Sequence, residues 1–196
     1  MIRPAEDIYN DMLNKFPSTM KEASEDNSKS SVDRYMTLSG IPVVKFDAFK
    51  DAFIKNMALT GTPLSCDVLY MTAQNELFLI EFKNGKIEAR KNQDIKIKIF
   101  ESLLMLSEEF SRTIEFTRDN LELILVYNEN ANHGPKELAD TGLNAIKMIV
   151  CNLAHIRMIR FGLHRFKKLY FKDVYTYSKA EFKSEFVDKY CVEDTR

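Results

Sequence analysis

Residues 77–86 read LFLIEFKNGK. Leu77, Phe78, Leu79 and Ile80 are consecutive apolar residues; Glu81 and Lys83 then flank Phe82, and Asn84-Gly85 ends the run. A strand apolar on both faces lies inside a covered sheet. Residues two apart on a strand project to the same side. Glu81 and Lys83 therefore share one face at the end of a buried strand, where charge is costly unless it is paired or bound to an ion.

The neighbouring segments extend this sheet. LELILVY (121–127) is a second apolar, β-branched run and reads as another buried strand. CDVLYM (66–71) reads as a strand joined to ELFLIEFK through the turn TAQNE. RYMTL and IPVVKF are strand-like and split by Ser39-Gly40, and LYFKDVYTY (169–177) is expected as an outer strand.

Helical periodicity fills the intervals. A helix is expected from about 4 to 16, with Ile8, Met12 and Phe16 on one face. Another carries Phe49, Phe53 and Met57, with Asp47 as its cap. A long one runs from about 87 to 110, with Ile95, Ile99 and Leu103 inward. A further helix is expected over about 136–159, and Ser178 with Glu181 forms a capping box that starts a last one. Residues 17–33 are polar and Ser-rich and read as a loop. Interleaved strands and helices give an α/β fold, a mixed sheet with helices on both sides.

The chain has 196 residues, which suits one domain with a sizeable core. It divides into the polar loop 17–33, a core at 45–127 and a helical, basic extension at 136–196. Net charge is −1, so no partner follows from bulk charge. Charge is uneven, however. Residues 83–98 hold six Lys/Arg against two acids, and residues 155–183 hold eight against two. Such segments can build a face that attracts phosphates, or simply a solvated surface.

Cys66, Cys151 and Cys191 form no CxxC pair, so neither a zinc site nor a disulfide frame is expected. The reading is a reducing, cytoplasmic setting. MIRPAEDIYN lacks the apolar core of a secretory leader, and the apolar stretch 143–159 is broken by Lys147, His155 and Arg157, so no membrane association is expected.

The chemistry concentrates on Asp67 and Glu81. If Asp67 faces Glu81 across the hairpin, Met71 faces Leu77 around the five-residue turn; a one-residue slip would put the acids on opposite faces. Two close carboxylates repel unless a cation sits between them, and their hard oxygens suit Mg²⁺. Lys83, on the same side, can orient water and offset charge on a phosphoryl oxygen. The competing reading is a surface Glu81–Lys83 ion pair, of little energetic weight.

Asp67 followed by Glu81-Phe82-Lys83 at the end of the next strand resembles the PD-(D/E)XK nuclease superfamily, and the element order resembles its αβββαβ core. The resemblance implies a restriction-endonuclease-like sheet with an additional C-terminal strand and helix. It implies that Asp67 and Glu81 ligate Mg²⁺ (or Mn²⁺), that the Phe82 carbonyl assists, and that Lys83 is the catalytic lysine. The implied activity is hydrolysis of nucleic-acid phosphodiesters, DNA ahead of RNA, in a fold that is frequently a homodimer. The alternative is a catalytically inactive module of that fold that binds nucleic acid or protein.

Cys66 replaces the proline that precedes the first acid in that family, and Gln93 is followed four residues later by Ile97, so the Gln-x-x-x-Tyr helix motif of some branches is not matched. An acid from the first helix, Glu6 or Asp7, is a further candidate ligand. Lys86, Arg90 and Lys91, at the start of the long helix, are candidate phosphate contacts, against a solvated face with Asp94–Lys98 as an i,i+4 pair. Phe161, Phe166, Tyr170 and Phe171 in the basic C-terminal segment read as core residues ahead of base-stacking ones. His133, His155 and His164 lack ligand spacing, and Ser65 has no nucleophile elbow around it.

Overall fold

The structure, a computed structural model, describes residues 3–27, 34–132 and 158–191. Its six strands are β1 (Pro17–Thr19), β2 (Pro42–Lys45), β3 (Val68–Met71), β4 (Leu77–Lys83), β5 (Leu121–Tyr127) and β6 (Asp173–Ser178). They form one sheet in chain order. β1 to β4 are successively antiparallel, while β4–β5 and β5–β6 are parallel. The helices are α1 (Ala5–Lys15), α2 (Met20–Ala23), α3 (Phe46–Asn56), α4 (Ala89–Glu109) and α5 (Ile114–Asn120). α6 begins as Lys179–Phe182, passes through a π-helical stretch at Lys183–Val187 and ends as Asp188–Tyr190.

Alternation along the strands sorts the core into two layers. Leu69, Met71, Leu77, Leu79, Leu121, Leu123 and Leu125 pack with α1, α3 and α4. Val68, Tyr70, Phe78, Ile80, Phe82, Ile124 and Val126 face Phe182 and Phe186 of α6, with Met20 and Met36. Helices thus cover both faces, as expected. Within α4, Ile95, Ile99 and Leu103 are buried at helical spacing. Each contributes roughly 1.5–3 kcal/mol of burial, which sets the rotation of α4 against the sheet.

The hairpin register is the expected one: Met71 opposes Leu77 and Val68 opposes Ile80. Several other expectations are corrected. Residues 17–33 are not all loop, since β1 and α2 lie within them. Thr19 and Glu22 close a capping box that starts α2. RYMTL is no strand; Tyr35 makes only an isolated bridge to Glu25. Asp47 does not cap α3, whose cap residue is Lys45; it lies in the first turn. α5 was not expected: seven residues with one buried position carry too little periodicity to read.

The outer strand starts at Asp173, and the basic stretch before it forms a 3₁₀ turn at Leu163–Phe166. Phe166 and Phe171 are buried core rings, and the exposed Phe100 and half-buried Tyr170 pack edge-on against Phe166. The expected helix at 136–159 lies outside the described residues up to 157, as do His133 and His155; Met158–Arg160 are irregular. No helix among the described residues is long and apolar enough to cross a membrane.

Candidate functional site

β3 begins at Val68, and Asp67 stands in a bend just before it. The Asp67 N–H donates to the Ile80 carbonyl at 3.1 Å, which anchors the bend to β4. Beyond Ile80, β4 has no ladder partner on this side. The Asp67 carboxylate takes that place, its Oδ2 accepting the Phe82 N–H at 2.6 Å. Asp67, Glu81 and Lys83 then share the face of the sheet that α4 covers.

α4 contributes a residue that the sequence reading assigned elsewhere. Lys98 is not the surface partner of Asp94. Its Nζ lies 2.8 Å from Glu81 Oε1, 3.1 Å from Oε2 and 3.7 Å from Asp67 Oδ1. Glu81 is 0% exposed and the Lys98 side chain 26%. The competing reading, a Glu81–Lys83 ion pair, is not what forms: Glu81 pairs with Lys98 instead, and no ion pair of Lys83 is found among the described residues. One turn further along α4, the buried Ser102 hydroxyl accepts the Cys66 N–H at 2.8 Å. α4 therefore grips the residue before Asp67 and the acids themselves. A signal existed: Lys98 and Ser102 are polar residues inside the Ile95–Ile99–Leu103 stripe.

The cluster holds two carboxylates and one ammonium, so its charge is unbalanced. Burial, then the charge of Asp67, pushes the Glu81 carboxyl well above its ordinary value, against the pull of Lys98. Burial also raises Asp67, opposed by Lys98 and the Phe82 N–H. Burial works against the charge on Lys98, but the Asp67 and Glu81 carboxylates outweigh it and hold the ammonium protonated. Asp47 sits at the margin. Burial raises its carboxyl, yet the Ser65 hydroxyl at 2.6 Å and Lys50 at 3.0 Å hold it below its ordinary value.

A polar cleft of about 330 Å³ reaches Asp67, while Glu81 and Lys98 lie behind its lining. One wall is Asp67, Phe82, Lys83, Asn84, Gly85 and Lys91; residues 24–27 and Met36 form the other. A smaller cleft of about 170 Å³ shares Asp67 and is lined by Glu22, Glu25, Lys45 and Asp47. The loop after β4 is fixed by three asparagines. Asn128 donates to Asn84 Oδ1 at 2.7 Å, and Asn132 accepts the Ile87 N–H and donates to the Gly85 carbonyl.

Of the candidate phosphate contacts, Lys91 lines the cleft, its ammonium lying close to Gly85. Lys86 faces Glu88 at 3.6 Å, and Arg90 is exposed outside the cleft lining. Glu6 does not reach the site: it accepts from Asn75, in the turn at the opposite end of the hairpin. Asp7 is its exposed neighbour on the first turn of α1. The acid that does lie beside Asp67 is Asp47 of α3, which the sequence reading took for a cap.

The donor set fits a hard cation. Mg²⁺ takes one or two protein carboxylates and completes its sphere with water and phosphate oxygens. Asp67 and Glu81 meet that requirement. No group of three His, Cys, Asp or Glu converges on a metal-binding point among the described residues.

Fold and site together define an α/β protein with a six-stranded mixed sheet and a buried two-acid, one-lysine cluster of which Asp67 lines an open cleft. Comparison with family models, curated proteins and solved structures finds no match for this chain.

Proposed function

We propose that this chain is a divalent-cation-dependent nuclease of restriction-endonuclease-like architecture. What carries the reading is the meeting of Asp67 with the fully buried Glu81 of the neighbouring strand, Asp67 and Lys83 both lining an open polar cleft. The strand order supports it: β2, β3 and β4 are antiparallel, and α4 leads into β5 beside β4 in parallel. The β3–β4–α4–β5 part agrees with the αβββαβ resemblance, while α3 intervenes between β2 and β3.

In this reading Asp67 and Glu81 hold Mg²⁺ or Mn²⁺, and the Phe82 carbonyl assists. The cation, when bound, supplies Lewis-acid activation of water and offsets charge on the phosphoryl oxygen. Lys83, half-buried on the cleft wall, positions the attacking water and balances the charge of the phosphate. Lys91 contacts the nucleic-acid backbone from the rim, with Lys86 and Arg90 further out. Among the described residues the cleft lining is polar apart from Ala23, Met36 and Phe82, and Lys83 and Lys91 on it suit phosphate contact. DNA ranks ahead of RNA on the resemblance alone.

A second reading has its own observation. Lys98 already pairs with Glu81 and lies beside Asp67, which also suits a non-catalytic module that binds nucleic acid or protein. One assay separates the two. Plasmid, single-stranded DNA and RNA are incubated with the protein in Mg²⁺, Mn²⁺ or EDTA, alongside Lys83→Ala and Asp67→Asn. Cleavage that needs the cation and is lost in both variants supports the nuclease. Cleavage that persists in EDTA and in Lys83→Ala rules it out, and binding without cleavage leaves the module.

A further inference from the structure

We propose that Lys98 is the built-in counter-ion of the cation site: it occupies the acids when no divalent cation is bound and is displaced by one that binds. The inference rests on the nuclease reading for the identity of the site, and it adds a residue and a property to it.

The oxygen inventory supports this. The four carboxylate oxygens of the pair are not equally open. Both Glu81 oxygens accept from Lys98 Nζ at 2.8 and 3.1 Å, and Asp67 Oδ2 accepts the Phe82 N–H at 2.6 Å. Asp67 Oδ1 is the exception, with Lys98 3.7 Å away. A dication that uses both acids must therefore take Glu81 from the ammonium. A dication and an ammonium within about 4 Å of one another repel strongly in a site of low polarisability. Simultaneous occupation is disfavoured.

Charge counting points the same way. Two carboxylates and one ammonium leave the cluster at a net negative charge. A dication in place of the ammonium neutralises both carboxylates and removes the repulsion a phosphodiester anion would otherwise meet. Lys98 is also able to leave. Its stem comes from α4 and its side chain keeps 26% exposure, whereas Glu81 has none. Asp47, the nearest further carboxylate in the site, offers the ammonium another anionic neighbour. Lys98 is thus a positioning residue in the cation-free protein, holding the two acids together until the cation arrives.

Two measurements on the full chain test this without reading cleavage. The first is amine acetylation of the native protein followed by peptide mapping, in EDTA and with Mn²⁺. Lys98 is expected to react slowly in EDTA and several-fold faster with Mn²⁺. Lys172, paired with Glu122 at 3.0 Å elsewhere in the sheet, is the internal control and stays constant. The second is calorimetric titration with Mn²⁺. Lys98→Met, which removes the competing charge, is expected to bind roughly tenfold more tightly than the native protein. Lys98→Arg, which keeps the charge, stays close to native.

Should Lys98→Met fail to fold, the acetylation experiment decides alone. Unchanged Lys98 reactivity on adding Mn²⁺, or no tighter binding by a folded Lys98→Met, overturns the proposal, as does absence of Mn²⁺ binding to both proteins. If Lys98 is released by Mn²⁺ but no nucleic acid is cut, the nuclease reading falls and this inference stands. Cation-dependent cleavage with Lys98 reactivity unchanged gives the reverse.

Discussion

Glu81 and Glu122 are carboxylates on adjacent interior strands, 0% and 7% exposed, and each is paired with a lysine. Glu81 lies on β4 facing α4; Glu122 lies on β5 facing the opposite layer, in register with Phe78 and Asp173. Lys172 reaches Glu122 at 3.0 Å, one cation for one anion, and the acid raises the affinity of Lys172 for its proton. Lys98 answers two acids at once, and one of them, Asp67, lines a cleft. The first arrangement is complete in itself. The second has one negative charge more than its own side chains can satisfy. Burial of charge marks structure as readily as function; two acids sharing one lysine, with Asp67 lining a cleft, is what separates the two.

The sharpest way to break this contrast is to remove each lysine. Lys98→Met is expected to cost about 3 kcal/mol in urea unfolding without divalent cation, because two buried carboxylates lose their partner. Lys172→Met, whose side chain is 43% exposed, is expected to cost about 1 kcal/mol or less. Mn²⁺ should restore much of the first loss and none of the second. Equal losses, or equal rescue, would dissolve the distinction.

Proton linkage sharpens it further. Glu81 and Asp67 are raised in the folded state, so their protonated forms favour folding. Their contribution is fully present below the ordinary carboxyl value of 4.5 for Glu81 and is lost as pH rises from there through the raised value. The second ionisation of the pair is the one that costs, since Lys98 balances the first. In EDTA, the Tm of the native protein is therefore expected to fall as pH rises above about 4.5, and Glu81→Gln is expected to flatten that decline. Glu122→Gln should leave the slope as it is. A native slope shared by both variants counts against a charge surplus at Glu81.

The smallest expected effects concern acids at the margin. Glu6→Gln, at the far end of the hairpin, is expected to change stability by less than about 0.5 kcal/mol and to leave Mn²⁺ binding unaltered. Asp47→Asn keeps an oxygen that can accept from the Ser65 hydroxyl and removes a negative neighbour of Asp67. It is expected to weaken Mn²⁺ binding a few-fold in the same titration. A stronger effect from Glu6 than from Asp47 would reverse the assignment of the third acid.

Much of this was legible from residue order. Strand alternation has a period of two, so one assumed contact, Asp67 with Glu81, determined the register of the hairpin and the turn that closes it. The apolar runs at 77–80 and 121–127 declared themselves interior because no polar residue interrupted them. Lys98 was misread for the opposite reason. On a helix, Asp94 and Lys98 are neighbours whatever the helix packs against, and only the packed rotation of α4 decides whether a stem points at water or at the sheet. β1 and α2 were hidden in a polar segment, although the Thr19–Glu22 capping box was present in the letters.

By itself the sequence determined the alternation of strands and helices, the two-faced burial of β4 and β5, and the pairing of two acids, because these follow from local periodicity and short turns. Tertiary structure alone decided that Lys98 meets those acids, that Asp47 rather than Glu6 lies near Asp67, and that a cleft reaches Asp67. Those depend on how α3 and α4 are laid against the sheet, a matter of packing between residues far apart in the chain.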